Sequence, residues 1–132
     1  MSRSSVVMLS STQGHLDVVG DRVKADGWYG FTDGLHTVAI KAVNFKGRIY
    51  FEASIAQDPI EGDWFPIQVD GLDFMEFPVT GSPNFSGTVG KNIIGGFTWL
   101  RAKIDRSYLV GLPADAATTN FCGYVDQILM NN

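Results

Sequence analysis

Arg48-Ile-Tyr-Phe-Glu-Ala-Ser-Ile-Ala56 is the stretch whose reading decides the fold. Ile49, Phe51, Ala53 and Ile55 alternate with Tyr50, Glu52 and Ser54, the period of two that marks a strand with one buried face. Upstream, the β-branched run His36-Thr-Val-Ala-Ile-Lys-Ala-Val43 lies between Asp33-Gly34 and Asn44-Phe-Lys-Gly47. That second connection has a length suited to a β-hairpin joining the two runs. Downstream, Asp58-Pro-Ile-Glu-Gly-Asp63 reads as a turn, and Trp64-Phe-Pro-Ile-Gln-Val69 as a strand with Phe65, Ile67 and Val69 on one side. Pro66 has no N–H for a ladder, so its strand is expected at an edge or at a bulge.

After a turn at Asp70-Gly71, Met75, Phe77 and Val79 share one face of Asp73-Phe-Met-Glu-Phe-Pro-Val-Thr80. Phe97-Thr-Trp-Leu-Arg-Ala-Lys-Ile104 alternates again, with Leu100, Ala102 and Ile104 on one side and Trp99, Arg101 and Lys103 on the other. Gly123-Tyr-Val-Asp-Gln-Ile-Leu-Met130 reads as the last strand. Near the start, Ser5 to Leu9 reads as a short edge strand, Ser10 to Gly14 as a turn and Leu16 to Val19 as a second short strand. Residues 1–27 are therefore expected as an N-terminal arm or peripheral strands, and 28–132 as the main domain. No ten-residue segment carries a helical stripe with caps. Seven or eight short strands separated by turns predict an all-β, antiparallel sandwich or jelly roll with long loops. Its expected core is Val38, Ile40, Ile49, Phe51, Ile55, Phe65, Ile67, Phe77, Leu100, Ala102 and Ile104.

Two glycine-punctuated stretches, Gly81 to Gly96 and Asp105 to Cys122, read as long loops, a type of segment that commonly carries contacts. Within them Phe85, Asn92, Ile93, Tyr108 and Leu112 are the candidate partner-contact residues. Among the aromatics, Trp99 shares the outward side of its strand with Arg101. These two, with Trp28 and Tyr29, form a candidate platform for a glycan ring or a partner surface. Interfaces also enrich aromatics and arginine, so core packing or burial at a subunit contact is the first reading of Trp28, Tyr29, Trp64 and Trp99.

Composition bounds the function classes. The chain has 132 residues, 45% hydrophobic, 12% aromatic and 18% charged, which suits one packed domain and argues against a disordered tail. The net charge is −4 and the ten Lys and Arg are spread along the chain, so there is no basic footprint for nucleic acid or an anionic membrane. A single cysteine, Cys122, forms no intrachain disulfide; it reads as a small buried hydrophobe in a protein made in a reducing cytoplasm. No signal peptide and no bilayer-length apolar run are expected.

Motifs for chemistry are equally sparse. No phosphate-cradling glycine motif follows a strand, and no Cys or His pair has metal spacing. His36 reads as a half-exposed strand-end histidine and Ser86 as a loop serine. Asp58, Glu61 and Asp63, and then Asp70 with Asp73, offer oxygen donors at spacings that suit Ca²⁺. Asp58 precedes Pro59 and Asp63 follows Gly62, however, positions where carboxylates cap turns, so turn structure comes first. The three glutamates form no recognisable glycosidase pair. No catalytic residue, metal or cofactor is expected, and the chain is not read as an enzyme.

Four of these segments carry a resemblance. Glu52-Ala-Ser-Ile-Ala56 leads to Asp63-Trp-Phe-Pro-Ile67, Phe97-Thr-Trp-Leu-Arg-Ala102 follows, and Gly123-Tyr-Val-Asp-Gln-Ile128 ends the pattern. The combination resembles small β-sandwich accessory proteins of tailed-bacteriophage virions, particularly those of marine and cyanobacterial phages, over Trp28 to Met130. Related patterns occur in discoidin-like and carbohydrate-binding sandwiches. The resemblance implies a structural role on the particle: capsid decoration, neck, or tail and fibre attachment. It implies major capsid or neck/tail proteins and further copies of the chain as partners, with synthesis in the host cytoplasm, and carries over no catalytic residue. A carbohydrate-binding module for host-surface glycan is the alternative.

Overall fold

The structure, a computed structural model, describes residues 5–30, 34–69, 71–78 and 83–131. Asp33, Asp70, Val79, Thr80 and Gly81, named above, lie outside them. Strand β5 (Gly47–Ser54) buries Ile49, Phe51 and Ala53, as its period of two requires. It lies beside β9 (Trp99–Asp105) with Ile49 opposite Ile104, Phe51 opposite Ala102 and Ala53 opposite Leu100. The inward residues of the two strands thus form one apolar layer.

Short strands flank this pair. β6 (Phe65–Ile67) and β7 (Met75–Phe77) pair with successive stretches of β5, Ile67 opposite Phe51 and Met75 opposite Ile49. They form a single edge lane interrupted by an excursion that a Val69–Leu72 bridge holds together. On the other side β2 (Val18–Val19) and β3 (Val23–Lys24) likewise share one lane along β9. Pro66 sits in an edge lane, where its missing N–H leaves no ladder position empty. The facing sheet has the order β1-β10-β4-β8, with β1 Ser5–Leu9, β4 Leu35–Phe45, β8 Phe85–Ile94 and β10 Tyr124–Asn131.

Among the described residues ten strands therefore fill eight lanes, every pairing antiparallel. The pairing is nested: β5 with β6 and β7, β4 with β8, β2 and β3 with β9, and β1 with β10. The chain is one long antiparallel ribbon folded double, and its wrapping brings β10 beside β4 and β5 beside β9. Between the sheets lie, among others, Met8, Val38, Ile40, Phe45, Ile128 and Met130. The protein is a two-sheet antiparallel β-sandwich.

Several sequence expectations change here. The connection at Asn44–Gly47 is not a hairpin, because β4 and β5 belong to opposite sheets. It is an arch: Phe45 points into the core, Asn44 takes φ 50°, and the Asn44 N–H donates to Ser86 Oγ at 2.8 Å. Crossing the core lets Val38, Ile40 and Ala42 face the apolar side of β5, which side-by-side pairing would not do. The expected loop from Gly81 to Gly96 contains the ten-residue strand β8. Phe85, Val89 and Ile93 do keep a strand's parity, but Gly87 and Lys91, at the same parity, interrupt the apolar pattern between them. Residues 106–123 form turns, as expected of a loop. Ile55 leaves the core, 72% exposed, because β5 ends at Ser54. Phe65, at the open start of an edge strand, is also exposed. The described part of residues 1–27 supplies edge lanes to both sheets and places Met8, Leu9 and Ala25 in the core.

One further helical turn, α1 (Asp26–Tyr29), follows β3. It closes an end of the sandwich over His36, which is fully buried rather than half-exposed. His36 is in phase with Val38 and Ile40, so the parity of β4 carries it inward. The Asp26 N–H donates to His36 Nε2 at 3.0 Å, and Nδ1 lies 3.3 Å from the Ile93 carbonyl oxygen. With Nε2 accepting, Nδ1 is the ring nitrogen placed to donate to that carbonyl. The Asp26 carboxylate is itself buried, 3.6 Å from Nε2.

Candidate functional site

The two outer faces of the sandwich differ in kind. On the β9–β5 sheet, the outward row Trp99, Arg101 and Lys103 lies beside Arg48, Tyr50 and Glu52. This face is armoured by alternating rings and cations. The Arg22 guanidinium lies 4.4 Å from the Trp99 ring centre, Trp28 packs on Trp99 at 4.9 Å, and Trp99 Nε1–H donates to the Gln57 carbonyl. Arg101 sits 4.3 Å over Trp64; its Nε donates to Glu52 and its terminal nitrogens to Glu61. Arg48 is layered between Phe74 and Tyr108 and pairs with Glu76 at 2.8 Å.

This packing corrects the picture of an open platform. Trp99 points outward as its parity demands but is only 7% exposed, and Arg101 is buried beside it. Of the four platform residues, Trp28 and Tyr29 on α1 remain exposed, at 39% and 48%. Trp28 borders a cleft of about 340 Å³ that Ile55, Gln57 and Thr98 also line. The acidic turn is likewise engaged. Asp58 pairs with Arg22, Glu61 with Arg101, and the Asp63 carboxylate accepts from the Ile60 N–H. Among the described residues no group of three His, Cys, Asp or Glu side chains gathers as metal ligands.

Burial opposes the charge on Arg101, but its hydrogen bonds to Glu61 and Glu52 outweigh that and raise its pKa. The same hydrogen bond holds the Glu61 carboxyl below the usual carboxylate range. A carboxylate depressed by folding stabilises the fold above its unfolded pKa, and that contribution is lost as pH falls through the folded value. Glu61 is exposed, so the effect is small. Glu61→Gln is expected to lower Tm slightly near neutral pH, and by progressively less as pH falls below the usual carboxylate range. Melting curves of both proteins across that range check this.

The opposite face, on β1-β10-β4-β8, carries almost no charge. Val7, Leu129, Ala39 and Gly90 align in register across all four strands, and Ser5, Asn131, Thr37 and Asn92 form the next row. Val7, Leu129, Leu35, Val43 and Ile94 are its exposed large apolar side chains. Lys41 and Asp126 are its charged residues among the described part of these strands, and they lie 3.9 Å apart. At one side, where β7 and β8 leave the core open, a groove of about 510 Å³ is lined by Leu72, Phe74, Phe77, Phe85, Val89 and Lys91, among others.

The five candidate contact residues do not form one surface. Asn92 is exposed on the neutral face and accepts from Thr37 Oγ1. Ile93, next to it, is buried in the core because adjacent strand residues point to opposite sides. Phe85 is half-buried against Phe77 at the groove. Tyr108 lies under Arg48 on the charged face, and Leu112 is half-buried in the turns between β9 and β10.

Sequence reasoning missed the buried polar groups. His36 was detectable from its parity; Arg106 was not. The Arg106 side chain is buried against Phe45, its Nη1 donates to the Gly123 carbonyl, and burial lowers its pKa.

The fold and these surfaces define the chain as an antiparallel β-sandwich with one armoured face and one neutral face. No protein-family model matches it, and comparison with curated proteins and with solved structures finds no match.

Proposed function

We propose that this chain is a structural subunit of a tailed-phage virion, a capsid-decoration or neck/tail accessory protein that binds other virion subunits and carries out no catalysis. The observation that carries this reading is the lane order. A ribbon folded double and wrapped into sheets of β1-β10-β4-β8 and (β2/β3)-β9-β5-(β6/β7) reads as a jelly roll, an architecture used by viral capsid and lectin domains. The resemblance of the Glu52–Ala56, Asp63–Ile67 and Phe97–Ala102 segments to phage accessory sandwiches points the same way. The neutral face and the apolar groove supply surfaces for protein contact, and rigid sheets hold them in place. Mass spectrometry of purified particles is the test, followed by adding the purified protein to particles stripped of it. Presence in stoichiometric amount and rebinding are expected; absence from purified particles overturns the reading.

A second reading is a glycan-binding module, since lectins share the architecture. It is favoured by Trp28, an exposed ring backed by Trp99 and set beside the polar side chains of Gln57 and Thr98. Binding on a glycan array that Trp28→Ala abolishes would support it. No binding by the unaltered protein would count against it.

A further inference from the structure

We infer that the neutral face of the β1-β10-β4-β8 sheet is a self-association surface, taking as its partner the same face of a second copy in a two-fold dimer. Shape is the first argument. The central row grades from bulky to small across the sheet: Val7 and Leu129 on the outer and second strands, Ala39 and Gly90 on the third and fourth. A two-fold axis parallel to the strands, between β10 and β4, reverses that row in the partner. Within that row, Val7 of each copy then lies over Gly90 of the other, and Leu129 over Ala39. This is the self-complementarity that an isologous contact demands, with the two sheets face to face as in a sandwich.

Charge is the second argument. The face offers an approaching surface one cation and one anion, Lys41 and Asp126, which already lie close together. A strongly charged partner would find nothing to pair with and would have its own charges desolvated. The charged groups of this molecule are concentrated on the other sheet, where Arg48, Glu52, Arg101 and Lys103 lie in adjacent lanes. The neutral face of another copy meets the requirement without a new ion pair, and like-charge repulsion is absent.

Area is the third. Strands β1, β4, β8 and β10 have 5, 11, 10 and 8 residues. At a rise of about 3.4 Å per residue and a spacing of about 4.8 Å, they project roughly 550 Å² of flat face. The accessible area of a corrugated face exceeds its projection, so the surface approaches the roughly 800 Å² per partner of a standard interface. Polar Thr37, Asn92, Ser5 and Asn131 then sit on one flank of the apolar row, as a rim does.

The inference rests on the geometry of this face and not on the virion reading, and the two can fail separately. The test is sedimentation and light scattering of the full chain across the micromolar range. The unaltered protein is expected at twice the chain mass. Leu129→Lys and, independently, Val7→Lys are expected at the single-chain mass, with an unchanged far-UV spectrum. Val110→Lys alters an exposed apolar residue outside the four strands and is expected to remain dimeric. A monomeric or trimeric unaltered protein overturns the inference, and so does a dimer that survives both Leu129→Lys and Val7→Lys. A monomer that still rebinds to stripped particles would remove this dimer and leave the virion role standing. A dimer absent from particles would do the reverse.

Discussion

Gly123→Ala is expected to destabilise the sandwich by about 3 kcal/mol or more, although it adds one methyl group. Gly123 has φ 68°, a left-handed conformation that costs an L-residue about 1–2 kcal/mol. A Cβ there would also run into the backbone of Val43 and Asn44. Backbone cannot swing aside as a flexible side chain can, and forcing extra volume into such a site typically costs a further ~1–3 kcal/mol. The place matters as much as the clash. Asn44 opens the arch that carries the chain from one sheet to the other. That arch is pinned by Lys46 N–H to the Cys122 carbonyl and by Arg106 Nη1 to the Gly123 carbonyl. Displacing it strains both sheets at once. Gly111→Ala is the control: its φ is 74° but nothing lies within 4 Å of the added carbon, so only the conformational cost of about 1–2 kcal/mol applies. Urea midpoints of the two variants measure the difference. Equal midpoints would refute the account of the arch.

The second large effect separates two residues that the period of β5 puts on one face. Phe51→Ala is expected to cost about 3–5 kcal/mol, the usual range for emptying a buried phenylalanine site. Phe51 is 1% exposed in the middle of the layer it shares with Ala102 and Ile67. Against the ~5–15 kcal/mol that holds a typical domain together, that loss shifts the melting temperature by ten degrees or more. Ile55→Ala, two positions beyond Ala53 in the same alternation, is expected to change stability by no more than about 0.5 kcal/mol. Its side chain lies past the end of the strand, in solvent. A large loss at Ile55 would mean that β5 continues inward past Ser54. A small loss at Phe51 would remove the shared core.

Reading the candidate site from sequence succeeded for direction and failed for burial. The parity of β9 correctly sent Trp99, Arg101 and Lys103 to the outside of the sheet. Parity says nothing about what covers that outside. Arg22, Trp28, Trp64 and Glu61, which cover it, come from an edge strand's approach, a helical turn and a 3₁₀ turn (Glu61–Asp63) far along the chain. The same parity, applied to β4, would have placed His36 in the core. The neighbouring Asp33-Gly34 drew it toward a strand-end reading instead.

What the sequence alone determined is which side of each strand faces in, at Ile49 to Ala53, Val38 to Ile40 and Leu100 to Ile104, and where Pro66 must lie. Alternation and a missing N–H are local properties, written into adjacent residues. Only the tertiary structure decided which sheet each strand joins: that Phe45 turns an arch, that β8 pairs with β4, and that the uncharged outer rows of four strands come into register as one face. Those choices depend on apolar surfaces meeting across a shared core between segments distant in sequence. Many strands present similar surfaces, so no single stretch of residues carries the information.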